Sequence, residues 1–207
     1  MTREEVLKSI KANVENKKLV KHMLATEAIM RALAERLGEN EDEWGLTGLM
    51  HDIDVELTEG DMSTHSVLGA DLVREIGASE AMAHAVLAHN EQHGIPRQAK
   101  LDRALYCTDP LAGLITAAAL VRPDKKLASV QAKSVKKRFR EKNFALGASR
   151  EQVASCRQLG LELDEFVSLG LGAMKGISND LGLQPSLPQA LSPEPSLSHQ
   201  CVSGRRL

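Results

Sequence analysis

Along most of this chain the apolar positions recur every three or four residues instead of alternating, the spacing of helices with one buried side. Thr2 and Glu5 form a capping-box pattern ahead of a short first helix. A longer helix is predicted from about Lys18 to Leu37. Leu19, Met23, Met30, Leu33 and Leu37 lie on its apolar side, and Gly38 is placed to stop it. Trp44 to Met50 reads as another short helix with His51 and Asp52 at its end. The acidic, glycine-containing stretch 55–63 is predicted to be a loop. Ser63 or Thr64 is the predicted cap of a helix that carries His65 and ends near Gly77, and Ser79 caps one over 80–90. A turn at 91–96 leads to a helix, or a pair bent near Pro110, over 100–120. Beyond it come a basic helix over 130–142, a helix from the Ser149/Gln152 capping pattern to Leu159, and a last helix over 164–178.

Composition agrees with this all-α reading. Aromatic residues make up 2% of the 207, so the core must be built from Leu, Ala, Val, Ile and Met. Strand-favouring aromatics are nearly absent, while alanine and leucine favour helices. The pattern predicts a compact helical domain over 1–182. Its candidate metal-binding core is about 18–125, and 130–182 is a packed helical extension. Residues 183–207, rich in proline and serine, are expected to be a disordered tail. A net charge of −2 supplies no global attraction to nucleic acid or membrane. Three widely spaced cysteines make no CxxC motif or disulfide framework. The polar start and the short apolar run 111–121 carry no signal segment or membrane span, so the expected location is cytoplasmic.

The chemistry concentrates in the histidines. Six of seven fall between His22 and His93, several in apolar helical sequence, where an unpaired imidazole is costly. His22, the adjacent His51 and Asp52, and Asp109 are separated by 29 and 57 residues. Those intervals are too long for a small structural zinc module. They place the ligands on different helices and leave the bundle to gather them. Mixed imidazole and carboxylate donors suit Mn, Fe, Co, Ni or Zn better than calcium. A metal-dependent hydrolase in a helical domain follows.

The order His22, His51-Asp52, Asp109 resembles the HD superfamily of metal-dependent phosphohydrolases, and His51-Asp52-Ile53-Asp54 resembles its HD-hydrophobe motif, with Asp54 where many members have glycine. The resemblance covers about 18–125 and implies an all-helical fold. Members with two metals carry further histidines between the HD pair and the last aspartate. His65-Ser66-Val67-Leu68-Gly69 and the segment from His89 to Pro96 resemble those positions. It departs from the cyclic-dinucleotide branch at Asn90 and in having Gly94-Ile95-Pro96 in place of Gly-Tyr-Pro. The resemblance thus implies one or two divalent ions on His22, His51, Asp52 and Asp109, with His65 and His89 at a second position. Asp52 stands between ligand and water-orienting roles. Arg122, Lys125 and Lys126 are candidates to meet a leaving phosphate.

The expected reaction is hydrolysis of a phosphate ester or anhydride in a small phosphorylated molecule of nucleotide type. Two alternatives stay open: a nonenzymatic nucleotide-binding or regulatory protein, and a di-iron oxygenase. The basic run 133–142 reads as a solvated helix face. With no aromatic platform beside it, nucleic acid is not an expected partner.

Overall fold

A computed structural model describes residues 1–184, and ten α-helices with no strand make up its regular structure beside short 3-10 turns. The all-α reading holds. All but the first two residues of the expected tail lie outside the described residues.

The helices are α1 (Arg3–Asn13), α2 (Lys17–Leu37), α3 (Glu41–Met50), α4 (Val67–Glu75), α5 (Glu80–Ala88), α6 (Lys100–Leu120), α7 (Ala132–Arg140), α8 (Arg150–Ala154), α9 (Leu163–Gly176) and α10 (Ser178–Leu181). Local signals set most of their ends. The Thr2/Glu5 capping box forms, the Asn16 and Asn40 side chains cap α2 and α3, and Gly38 closes α2 in the left-handed conformation. Ser79 and Ser149 cap α5 and α8 as their sequences predict. Pro110 lies inside α6, which runs through it as one helix.

Helix α2 is the spine, packing on α3, α6 and α9. Its inner face of Met23, Ile29, Met30 and Leu33 is fully buried. Gly48 lets α3 come close: a Cβ there would lie 3.1 Å from the Thr26 backbone and 2.9 Å from Met30. That contact sits one turn past His22 and one turn before His51, so it draws the two histidines together. Gly170 does the same for α9, where a Cβ would meet Leu111, Ile115 and Ile29. Residues of the C-terminal helices, including Phe166, Val167 and Met174, join the same core as α2 and α6.

Two helix starts differ from the sequence reading: α3 begins at Glu41, capped by Asn40, where the pattern predicts Trp44, and α4 begins after His65. His65 precedes α4, which begins at Val67 after Ser66 in a left-handed conformation (φ 73°). Ser63 and Thr64 do not cap it, because their hydroxyls donate to Asp61. The cap comes from Asp54, whose carboxylate accepts the backbone N–H groups of Ser66 and Gly69 at 2.7 and 2.8 Å. Gly69 keeps room for it, since a Cβ there would stand 3.1 Å from that carboxylate.

Candidate metal centre

Three helix ends and two helix interiors converge on a small polar volume inside this apolar bundle. His22 comes from α2, His51 and Asp52 follow α3, His65 precedes α4, His89 ends α5 and Asp109 lies within α6. All six predicted ligand positions meet. The Asp52 carboxylate is at the centre. Its Oδ2 lies 3.2 Å from Nε2 of His51 and 3.7 Å from Nε2 of His22, while its Oδ1 lies 3.6 and 3.7 Å from Nε2 of His65 and His89. Asp109 Oδ1 is 2.9 Å from His22 and 3.8 Å from His51. The rings form a chain, with centroid spacings of 5.2 Å for His22–His51, 5.3 Å for His51–His89 and 5.2 Å for His65–His89.

Three of these imidazoles are aimed by their far nitrogen. His51 Nδ1 donates to the Gly48 carbonyl at 2.8 Å, and His89 Nδ1 to that of Val86 at 2.5 Å. A carbonyl can only accept, so both Nδ1 atoms carry protons and both Nε2 atoms face the centre. His65 Nδ1 pairs with Asp54 Oδ1 at 2.9 Å, the carboxylate–histidine arrangement that orients a metal-ligating ring.

The electrostatics favour a cation. Burial alone would depress the His51 imidazole, yet the Asp52 and Asp109 carboxylates outweigh it and hold the ring well above the ordinary histidine value. Burial would raise Asp52 and Asp109, yet the histidines outweigh it and hold both below the ordinary carboxylate range, His51, His89 and His22 acting on Asp52 and His22 and His51 on Asp109. Asp54 is lowered as well: burial opposes ionisation, but His65 and the two backbone N–H groups prevail. His51 Nε2 is fully buried and has no hydrogen-bond partner. An orphaned imidazole nitrogen among carboxylates is what a cation would satisfy. Two donor sets fit: His22, His51 and Asp109, and His51, Asp52 and His89, each with ligand atoms within 4.8 Å of one another. The residues present therefore fit a divalent ion.

The cluster opens on a cavity of about 440 Å³. Asp52, His65, His89 and Asp109 line one side, and Gly147, Ser149 and Gln152 the other. That second wall comes from the segment between α7 and α8 and from the first turn of α8, where the sequence marks the Ser149/Gln152 cap but not its place beside the cluster. It is shaped by Arg150, whose guanidinium donates to the carbonyls of Arg138, Phe139, Glu141, Phe144, Ala145 and Ala148. Glu91 also lines the cavity and accepts the Tyr106 hydroxyl. Asp54 was legible only as a departure from a motif, and its role depends on α4 folding back over it. His84 stands apart, paired with Asp102 at 3.2 Å.

Arg122, Lys125 and Lys126 are not brought to the cluster. Helix α6 ends at Leu120, eleven residues and about 16 Å of helix past Asp109. The three basic residues follow in the turn beyond, with Arg122 and Lys125 exposed. Following the helix in sequence put them at its far end.

A model of the HD domain family matches residues 19–129, more than half of the chain, and the chain belongs to that family. Among curated proteins it resembles Ribonuclease Y of Oleidesulfovibrio alaskensis, 30% identical over 95 residues, which are 46% of this chain and 18% of that protein. Ribonuclease Y of Pelobacter propionicus is 34% identical over 73 residues, 35% of this chain and 14% of that protein. The chain thus spans less than a fifth of the length of these relatives. No solved structure matches. These relatives correct one expectation. Nucleic acid was set aside for want of aromatic residues to stack on bases, but the matching proteins are named ribonucleases. A centre that attacks a phosphate needs no base-stacking platform. Among the described residues no helix is long and apolar enough to cross a membrane.

Proposed function

We propose that this chain is a metal-dependent phosphodiesterase that hydrolyses RNA. The observation that carries the reading is the Asp52 carboxylate, with one oxygen toward His22 and His51 and the other toward His65 and His89. A carboxylate so placed can serve two ions at once. His22, His51, Asp52 and Asp109 would hold the first, and Asp52, His65 and His89 the second. Bound there, a divalent metal ion supplies charge neutralisation at the phosphoryl oxygens and a water of lowered pKa. The donor types suit manganese, iron, cobalt, nickel or zinc. The ribonuclease names of the relatives support RNA as the substrate class.

The protein's own groups do the positioning. The Gly48 and Val86 carbonyls and the Asp54 carboxylate keep Nδ1 of three histidines engaged, so each Nε2 lone pair faces inward. Asp52 and Asp109 bring negative charge that a phosphate would otherwise resist, which makes cation loading a precondition for substrate entry. The wall at Gly147 and Ser149 narrows access and limits bulk water around the reacting phosphate.

The test is metal analysis together with an RNA cleavage assay in manganese, cobalt, nickel and zinc. The wild type should carry metal and cleave RNA, and H51A/D52A should lose both. Unchanged metal content in that double variant, or a fully metallated protein that leaves RNA intact, would overturn the reading.

A further inference from the structure

The 440 Å³ cavity is one part of a longer groove. It shares Asp109 and Gly147 with a cavity of about 220 Å³, which shares His22 and Gly113 with a third of about 470 Å³. Together they run past the His/Asp cluster and leave space on both sides of it. A lone phosphoryl compound needs a pocket on one side only. A strand cut in its interior needs both.

The third cavity lies between α2 and α6 and is also lined by Leu181, Gly182 and Leu183, with Lys21 Nζ close to Gly182. On α6, Asp109, Gly113, Ala117 and Leu120 follow at intervals of four, four and three, so they share one face. Gly113 and Ala117 keep that floor low, and Ala117 is about 12 Å of helix past Asp109. On α2, Lys18 precedes His22 by one turn and stands on the same face, with Lys21 beside it. Both lysines are exposed, and among the described residues neither has a carboxylate within ion-pair distance. Lys100 and Lys136, by contrast, are engaged by Glu39 and Asp164. Apolar walls with cations at the mouth suit a nucleoside whose outer phosphate meets the lysines.

We propose that this α2/α6 groove seats the nucleotide next to the scissile phosphate, and that Lys18 and Lys21 bind the following phosphate of a single-stranded oligonucleotide. The inference rests on the RNA reading above and narrows its substrate to strands longer than a dinucleotide.

Binding can be measured without catalysis, using the metal-loaded protein with fluorescein-labelled hexa-adenylate and diadenylate whose linkages are cleavage-resistant phosphorothioates, which keep the phosphate charge. The wild type should bind the hexamer at least about tenfold more tightly than the dimer. K18E/K21E should remove most of that difference, and its slope of log affinity against log salt should fall by at least about 0.7, the value for one lost phosphate contact on a single strand. Gly113→Leu offers a second route. A Cβ at Gly113 meets nothing within 4 Å, so the side chain fits the fold while filling the groove. It too should weaken the hexamer about tenfold, with a melting temperature no lower than wild type. Equal binding of dimer and hexamer by the wild type, or hexamer binding unchanged in both folded variants, would overturn the groove. Because the phosphorothioate linkages resist hydrolysis, that failure is separate from failure of the RNA cleavage assay, which would overturn the phosphodiesterase reading alone.

Discussion

His51 and His89 are each fixed by the carbonyl three residues earlier, within the last turn of their own helices. Across the cavity, the segment 141–149 has no such support. It contains Ala145 in a left-handed conformation and an exposed Leu146, and it hangs from the guanidinium of Arg150. One side of the site is thus anchored by backbone already committed to helices, the other by one side chain on six carbonyls. The difference teaches where each side can be broken. Ligand geometry should survive most local changes that leave the helices intact. The wall should respond to a single substitution far from the reacting atoms.

The largest effect should come from removing the extension that carries the wall. We propose that residues 130–184 belong to the same folding unit as the cluster, since Phe166 and Met174 lie in the shared core and Gly170 admits α9 onto Leu111 and Ile29. A chain ending at residue 129 should expose that apolar surface, aggregate and lose metal. A soluble, metal-binding 1–129 fragment would show that the cluster side folds alone.

Next in size is Asp54→Asn. The carboxylate accepts from His65, Ser66 and Gly69, and an amide nitrogen in its place cannot accept. Metal affinity should fall about 10- to 100-fold, as for other partners of ligating histidines. Competition with a metal-sensitive dye measures it, and unchanged affinity would show that Asp54 serves only to cap α4.

Arg150→Ala probes the opposite side. It should cost about 2–3 kcal/mol of stability and, on the RNA reading proposed above, raise KM in the cleavage assay, while bound metal stays at the wild-type level. Lysine at the same position, with three donors in place of five, should recover only part of the stability. Loss of metal in Arg150→Ala would mean that the wall also holds the cluster, contrary to the comparison. The smallest effect is expected from Asn40→Ala, which removes the cap on α3 at Asp42 and Glu43. About 1 kcal/mol should be lost in thermal unfolding, with metal affinity unmoved.

Much of this was legible in the chain. Helix ends at Gly38, Ser79 and Ser149 follow from residues that satisfy backbone groups locally, so their signals survive without tertiary context. The ligand residues could be read for the same kind of reason: imidazoles and carboxylates in apolar helical sequence must find partners somewhere. By itself, then, the sequence determined the helical class, most helix boundaries and the residue types gathered at the centre. Which groups stand beside that centre was decided only by tertiary packing. Asp54 caps a helix that starts thirteen residues later, a glycine-containing segment from beyond α7 becomes the facing wall, and Lys18 and Lys21 border the groove while Arg122 and Lys125 end up at the far end of α6. Caps and apolar periodicity act over a few residues, whereas the neighbours of a site are set by how helices distant in sequence cross, and no local signal encodes that angle.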